Sequence, residues 1–141
     1  RQMCKETEVR SSAPDWAVFT GYLSGAELAA AYASGDVLLF PSTTETLGFA
    51  ALESFASGLP VVAANAGGLP FVIDDGETGI LVDPDAPETT WADEIARVLQ
   101  DDALRTRLST AARAEAQRWT WRASSEQVVD YYDEVIRNAG R

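Results

Sequence analysis

Apolar and polar positions alternate along this chain with two different periods, which predict strands and helices in turn. Short apolar runs at residues 37–40, 61–64 and 80–82 predict strands, and we expect the first to be buried on both faces of a parallel sheet. Residues 16–20 predict a further strand. The alternation of strands and helices is typical of the α/β class.

Capping signals define the helix that precedes the first of those three runs. Ser24 and Glu27 have the S-x-x-E spacing of a capping box, in which each side chain bonds to the backbone of the other residue. The helix is expected at residues 25–33, and Gly35 ends it.

A second helix links the first two of the three runs. It is predicted at residues 47–57, with Thr46 as its N-cap and Gly58 as a left-handed C-cap. The three elements form a βαβ unit, whose crossover is right-handed in nearly all proteins. The loop at residues 41–46 then lies at the carboxyl end of the first strand, where α/β sheets bind ligands.

The rest of the chain is largely helical by the same criteria. Trp119 and Trp121 are expected in the core rather than on a surface that stacks against a ligand. We predict one helical turn within NAGGLPFVI, further helices at residues 89–99, 102–118 and 121–138, and the end of another helix at residues 2–9.

Length and composition bound the class of protein. The chain has 141 residues, 46% of them hydrophobic, which suits one globular domain with a modest core. Cys4 is the single cysteine and histidine is absent, so an internal disulfide is excluded and a zinc site is disfavoured. No signal-like segment is visible, and no apolar run approaches the roughly 20 residues needed to span a bilayer.

Charged residues are unevenly distributed. The net charge of −11 disfavours nucleic acid and anionic membrane surfaces as partners. Residues 11–96 contain acids but neither lysine nor arginine, so an anionic ligand held there must take its cations from elsewhere. An acidic, soluble surface accounts for the same distribution, and both interpretations stay open.

One carboxylate stands alone in the central part of the sequence. Glu53 is the only charged residue between Thr46 and Ile73, in a stretch rich in glycine and alanine. Because desolvating an unpaired carboxylate is costly, Glu53 is expected to lie at a cleft, to accept hydrogen bonds or to pair with a cation. The first of these alternatives indicates a ligand.

The segment FPSTTETLGFAALESFASGLPVVAANAGGLPFVIDDGETGILVDP resembles the donor-binding region of retaining glycosyltransferase family 4. Glu45 and Glu53 have that family's E-x7-E spacing, and Gly67, Gly68 and Pro70 form its GG-x-P loop. The SGLPVV and G-x-T-G turns stand in family order too. The similarity extends from about Phe19 to the C-terminus, and is greatest to the branch with sulfolipid synthases and lipid or inositol mannosyltransferases.

This resemblance implies a Rossmann-like three-layer parallel sheet with C-terminal helices, the C-terminal domain of a GT-B fold. Residues 1–141 are then the donor-binding domain without its first strand or strands and without the N-terminal acceptor domain. The family clamps the donor pyrophosphate with an Arg and a Lys in a Gly-Arg…Lys-Gly segment, which nothing before Trp16 matches. Lys5 and Arg10 lie in a different context and are not assigned that role, so the chain is expected to be a fragment.

The resemblance also assigns roles to individual carboxylates. Glu45 would face the donor sugar as the catalytic group, bonding ring hydroxyls and adding negative field beside an oxocarbenium-like centre. The alternative is a loop carboxylate that caps a nearby turn. Glu53 would accept both ribose hydroxyls. The alternative role for Glu53 is a carboxylate at the rim of the site that is solvated by water.

Backbone groups complete the expected donor site. Tyr22 and Leu23 would line the nucleobase slot, although a plain strand-to-helix turn explains them equally well. Gly67 and Gly68 would line the sugar pocket, although tight-turn geometry alone also accounts for them. The N–H groups of Thr46, Leu47, Gly48 and Phe49 would meet sugar and pyrophosphate at the positive end of the helix, with a packing role for Gly48 as the alternative.

The implied reaction moves a hexose from a nucleoside diphosphate sugar to an acceptor with retention at the anomeric carbon. The family needs no catalytic base, because the departing phosphate oxygen takes the acceptor proton, and neither cofactor nor metal is expected. The acceptor, a lipid or a glycan, would bind mainly to the missing domain. The expected location is the cytoplasm, with a membrane face or a plastid as alternatives.

The sequence has three alternative interpretations. A GT-B epimerase or phosphorylase is one, and the absent histidine disfavours the epimerase. A nucleotide-sugar-binding module without transferase activity is the second. A receiver-type signalling domain needs clustered acids and a lysine late in the chain, and Lys5 is the only lysine.

Overall fold

The computed structural model describes residues 10–139, which fold into a parallel sheet with helices against both of its faces. The predicted α/β class and three-layer arrangement are confirmed. The strands are β1 (Leu38–Phe40), β2 (Val61–Ala64) and β3 (Ile80–Val82). The helices are α1 (Gly25–Ala33), α2 (Phe49–Ser57), α3 (Glu88–Gln100), α4 (Asp102–Ala116) and α5 (Trp121–Ala139), with 3₁₀ turns at Leu69–Phe71 and Gln117–Trp119.

The sheet has the order β1-β2-β3, and both pairs of strands are parallel. Leu38 lies opposite Val61 in the first pair, and Val62 lies opposite Ile80 in the second. Because α2 connects two parallel neighbours, the predicted βαβ unit is confirmed. The loops that follow β1 and β2 therefore leave the sheet at the same edge.

Two hydrophobic clusters lie on the two faces of the sheet. Side chains alternate along a strand, so Val61 and Ala63 of β2 join one cluster while Val62 joins the other. The first cluster contains Phe55 of α2, and the second contains Val98 of α3. Helix α4 contributes to both clusters, with Ala112 in the first and Leu104 and Leu108 in the second.

The N-terminal strand prediction is wrong. Residues 16–20 form no strand in the described part of the chain, and Trp16 and Val18 are 83% and 85% exposed. A strand needs a partner for its backbone N–H and C=O groups, and local alternation of side chains cannot supply one. The helix expected at residues 2–9 lies outside the described residues.

Burial of the first strand also differs from the prediction. Leu39 in β1 is 47% exposed, whereas all four residues of β2 are buried. Leu38 and Phe40 pack against the first cluster, so Leu39 faces the other side of the sheet, where helix α3 packs mainly against β2 and β3. An apolar run alone does not show whether helices cover both faces of a strand.

Helix boundaries follow the capping signals in part. Helix α1 has the predicted bounds, but the Ser24 side chain makes no cap hydrogen bond, so the predicted capping box does not form. Helix α2 begins at Phe49 with Gly48 as its N-cap, and Thr46 is therefore not the N-cap. Gly58, with a φ of 73°, is the predicted left-handed C-cap.

The C-terminal helix is exposed along its length. Trp121 is 91% exposed, so its predicted place in the core is wrong, and Trp119 is covered only in part, with its indole N–H donating to Glu115 at 3.0 Å. Among residues 10–139, no helix combines the length and apolar character that crossing a bilayer requires. The helix has an apolar side made of Val128, Tyr131, Tyr132 and Val135, and all four are exposed.

Candidate functional site

Two loops meet at the edge of the sheet where β1 and β2 end. The loop at residues 41–48 follows β1, and the loop at residues 65–68 follows β2. The Gly68 N–H donates to the Glu45 backbone oxygen at 2.7 Å, which ties the two loops together. This contact brings the two conspicuous motifs of the sequence, E-x7-E and GG-x-P, to one place.

Glycine is required in the second loop because the first loop passes so close to it. A Cβ added to Gly68 would lie 2.1 Å from the Thr46 backbone oxygen, and one added to Gly67 would lie 2.7 Å from the Glu45 backbone oxygen. Gly67 also has a φ of +58°, which disfavours other residues. Tight local geometry thus accounts for both glycines, and their role in a sugar pocket stays a prediction.

Glu45 is half-buried and held by its own loop. The Ser42 hydroxyl donates to Oε1 of Glu45 at 2.9 Å. This bond joins two side chains of one loop, and the two roles expected for Glu45, a sugar contact or the cap of a turn, stay predictions. It engages one carboxylate oxygen, and a carboxylate has further acceptor positions on both oxygens. The bond therefore fixes the side chain without using up its capacity for a ligand.

The start of α2 supplies backbone donors beside Glu45. In a helix the first N–H groups have no acceptor within the helix, and here the Ala51 N–H turns back to the Gly48 oxygen at 2.9 Å. The N–H groups of Phe49 and Ala50 thus remain at the positive end of the helix. Thr46 and Leu47 precede the helix as part of the loop.

Gly48 has a structural role that the sequence left open. Its φ of +82° lies in the left-handed region, and a Cβ there would lie 2.6 Å from Cδ2 of the buried Leu69. Both features require glycine whether or not a ligand is bound. The packing alternative for Gly48 is therefore realised, while an approach to phosphate stays a prediction.

Glu53 projects from the second turn of α2 toward α1. The Tyr32 hydroxyl, from the last turn of α1, donates to Oε2 of Glu53 at 3.0 Å. Glu53 is exposed and lines a cleft of about 350 Å³ between the two helices, together with Leu28 and Ala29. A cleft, hydrogen bonds and a cation were the three expected surroundings of this carboxylate. Glu53 has the first two of them.

The environment of Tyr32 keeps its hydroxyl protonated. Burial first, and then the hydrogen bond to Glu53 and the negative charge of Glu53, raise the pKa of Tyr32 from 10.0 to about 12. Tyr32 is accordingly a hydrogen-bond donor throughout the neutral range.

The predicted nucleobase residues lie at the entrance to α1. Tyr22 is 92% exposed and Leu23 is half-buried, both in the turn before Ser24. Gly25 of the same turn region lines the cleft that contains Glu53. The structure thus places these residues near the end of the cleft, and their contact with a base stays a prediction.

Five arginine side chains make contacts away from these loops. Arg107 donates to the Gly76 oxygen at 2.7 Å, and Arg10 lies over the Phe19 ring at 5.0 Å. Arg97, Arg105 and Arg118 pair with Glu94, Asp102 and Glu115. In residues 10–139, none of these contacts reaches residues 41–49, in keeping with the absence of cations from residues 11–96.

A broader depression of about 770 Å³ lies along α4, lined by Asp102, Thr106, Arg107 and Thr110 among others. It is formed by one helix alone, and it contains none of the residues that the motifs single out. The carboxyl edge of a parallel sheet is the usual ligand site of this fold class. We therefore place the candidate site at the two loops and the α1–α2 cleft.

Sequence reasoning missed two side chains at this site, Ser42 and Tyr32. Ser42 and Glu45 have the same S-x-x-E spacing as Ser24 and Glu27. The sequence therefore contained a signal for the bond between Ser42 and Glu45. Tyr32 is 21 residues away from Glu53, and only the packing of α1 against α2 brings them together.

Comparison with known proteins identifies close relatives of most of the chain. Residues 12–115 match the sequence profile described as Glycosyl transferases group 1. The chain is 42% identical over 112 residues to the D-inositol 3-phosphate glycosyltransferase of Corynebacterium glutamicum, covering 79% of this chain and 27% of that protein. It is 46% identical over 115 residues to the sulfoquinovosyl transferase SQD2 of Arabidopsis thaliana, covering 79% of this chain and 22% of that protein. The chain thus spans about a quarter of the length of these relatives.

Solved structures share the fold. A sucrose-phosphate synthase from Thermosynechococcus elongatus superposes with a TM-score of 0.80 at 31% identity, covering 97% of this chain and 35% of that one. The C-terminal domain of a glycosyl transferase group 1 family protein from Francisella tularensis superposes with a TM-score of 0.66 at 28% identity, covering 84% and 61%. The expected likeness to a GT-B C-terminal domain is therefore confirmed.

Proposed function

Because the chain belongs to the Glycosyl transferases group 1 family, we propose that it holds the nucleotide-sugar donor of a retaining hexosyltransferase. The observation that carries the proposal is the meeting of the E-x7-E and GG-x-P loops at the carboxyl edge of the sheet, joined by the bond from Gly68 to Glu45. Glu45 and the N-terminus of α2 border this edge, and Glu53 lies further along α2, in the α1–α2 cleft. Hydroxyl groups suit the carboxylates, and a pyrophosphate suits the helix N-terminus.

Each part of the donor has a partner of matching chemistry. The carboxylate of Glu53 accepts the two ribose hydroxyls, because two oxygens can receive two O–H groups at once. The N–H groups at the start of α2, near Gly48 and Phe49, meet the pyrophosphate. Glu45, fixed by Ser42, faces the sugar ring.

The proposed reaction relies on electrostatics and positioning. As the bond from the anomeric carbon to the phosphate oxygen breaks, positive charge develops on the sugar, and the carboxylate of Glu45 stabilises it. The departing phosphate oxygen takes the proton of the acceptor hydroxyl, and the acceptor oxygen forms its bond to the anomeric carbon on the face that the phosphate leaves, so that configuration is retained. No side chain of the described residues has to act as a base in this scheme.

The acceptor and the location follow from the same proposal. We propose that a lipid or a glycan is the acceptor and that it binds mainly outside the 141 residues, in a domain that faces this one across a cleft. We also propose that the reaction takes place in the cytoplasm.

The sugar contact can be separated from the nucleotide contact by Glu45→Gln. The substitution keeps the size of the side chain but replaces charge-assisted hydrogen bonds by neutral ones about half as strong. We expect the affinity for a nucleoside diphosphate sugar to fall about fivefold, the equivalent of about 1 kcal/mol, and turnover to fall in an active enzyme that contains this chain. The affinity for the free nucleoside diphosphate should stay almost unchanged.

Binding is measured by calorimetry or NMR titration with each sugar nucleotide and its free nucleotide. Glu88→Gln, an exposed carboxylate in the first turn of α3, is the matched control and should change neither affinity. Equal losses for sugar nucleotide and free nucleotide in Glu45→Gln would contradict the assignment of Glu45 to the sugar.

A further inference from the structure

We infer that Tyr32 is a positioning residue for ribose recognition: its hydroxyl orients the carboxylate of Glu53, which in turn accepts the ribose hydroxyls. The inference rests on the proposed function of Glu53 and adds to it a residue outside the motifs that indicated the site. Its basis is the bond of 3.0 Å from the Tyr32 hydroxyl to Oε2 of Glu53 across the α1–α2 cleft.

Two hydroxyl groups line the cleft beside Glu53, and only one of them donates to its carboxylate. The Ser57 hydroxyl donates to the backbone oxygen of Glu53 at 3.0 Å, whereas the Tyr32 hydroxyl donates to Oε2. The other lining side chains, Leu28, Ala29 and Ala56, carry no hydrogen-bond donor. An exposed glutamate samples several rotamers, and ordering it costs free energy when a ligand binds. The hydrogen bond from Tyr32 restricts the carboxylate before the ligand arrives, so less ordering remains for the binding step.

The chemistry leaves room for a ligand. A tyrosine hydroxyl donates one hydrogen, and an ionised carboxylate has about four acceptor positions on its two oxygens. Tyr32 uses one of them, on Oε2, so Oε1 and the rest of Oε2 remain for two further hydroxyl donors. Two neighbouring hydroxyls, as in ribose, match that capacity.

The hydrogen bond from Tyr32 also ties α1 to α2, so a positioning role and a purely structural role have to be told apart. Tyr32 is half-buried at the end of α1, and its raised pKa keeps the proton on the hydroxyl at neutral pH. A purely structural tie would stabilise the contact of α1 with α2 and leave the choice between ribose and deoxyribose untouched. That difference separates the two roles.

The experiment compares ribonucleotide and deoxyribonucleotide binding in four forms of the chain. NMR titrations with UDP and 2′-deoxy-UDP, and with the corresponding GDP and ADP pairs, give the dissociation constants for the parent, Tyr32→Phe, Glu53→Ala and Tyr132→Phe. Tyr132 is an exposed tyrosine on α5, so Tyr132→Phe is the matched control for loss of a hydroxyl.

We expect the parent and Tyr132→Phe to prefer a ribonucleotide over its 2′-deoxy form, and Glu53→Ala to show no preference. Tyr32→Phe should reduce the preference by about threefold to tenfold, the range of one hydrogen bond, while the affinity for the deoxyribonucleotide, which keeps one of the two hydroxyls, falls by a smaller factor. A parent-like preference in Tyr32→Phe would overturn the role of Tyr32 and leave the proposed function standing. A parent without any preference, or Glu53→Ala with the full preference, would overturn the proposed function itself.

A second measurement tests the contact without a ligand. With ¹³C-labelled tyrosine, the ionisation of Tyr32 is followed in the parent and in Glu53→Gln. Removing the charge of Glu53 should lower the pKa of Tyr32 from about 12 toward its ordinary value of 10.0, with burial holding it above that value. An unchanged pKa would mean that the hydroxyl does not bond to Glu53, and would overturn the inference.

Discussion

Gly68→Ala should lower the free energy of unfolding by about 3 kcal/mol, the upper end of the usual cost of overpacking. The new Cβ would lie 2.1 Å from the Thr46 oxygen, 2.5 Å from the Thr46 carbonyl carbon and 2.9 Å from the Leu47 nitrogen. All three are backbone atoms, which cannot move aside as the end of a flexible side chain can. The two loops would have to separate, and the bond from Gly68 to Glu45 would be lost with them.

Gly35→Ala is the matched control for this substitution. Its Cβ would meet the end of the Leu59 side chain at 3.3 Å, a contact that a small rotation relieves. We expect its effect to stay within about 1 kcal/mol of the parent. Both variants are measured by denaturant unfolding followed by circular dichroism. Equal stability of the two variants would mean that the loops do not approach each other as described.

Glu53→Ala should weaken the binding of a nucleoside diphosphate sugar and of the free nucleoside diphosphate by the same factor. Both ligands contain the ribose, so both lose the same hydrogen bonds. One charge-assisted hydrogen bond contributes about 1.5 to 3 kcal/mol, which corresponds to a loss of about 10-fold to 150-fold in affinity. The fold should remain intact, because Glu53 is exposed and lies outside both hydrophobic clusters.

The control for this loss is Glu77→Ala, an exposed carboxylate in the turn before β3. Both variants are titrated by calorimetry with the free nucleotide and the sugar nucleotide. If Glu53→Ala kept the affinity of the parent for the free nucleotide, ribose recognition would have to be assigned to another residue.

Much of the architecture could be predicted from the sequence, because periodicity and capping signals act locally. The bounds of α1, β2 and β3 follow from runs of apolar residues and from the glycines and prolines that flank them. The predictions that failed depend on contacts between residues that are far apart in the sequence. Residues 16–20 have the alternation of a strand but no strand beside them in residues 10–139, and Leu39 is exposed because α3 packs mainly against β2 and β3.

The candidate site was predictable to the extent that motifs define it. The spacing of Glu45 and Glu53 singled out both carboxylates before any geometry was known. The partner of Glu53 could not be predicted, because Tyr32 reaches it only through the packing of one helix against another. The role of Gly48 could not be predicted either, because it depends on its left-handed φ and on its contact with Leu69.

The most direct test of a donor site at these loops is a chemical-shift map of the ¹⁵N-labelled 141-residue chain titrated with UDP-, GDP- and ADP-sugars. We expect shifts at residues 41–49, at Glu53 and at residues 67–68. Binding should be weak, in the range of about 1 mM, because residues 11–96 supply no cation and a helix N-terminus contributes only about 0.3 to 2 kcal/mol. Shifts centred on Thr106 in the α4 depression, or no shifts at Glu45 and Glu53, would contradict the assigned site.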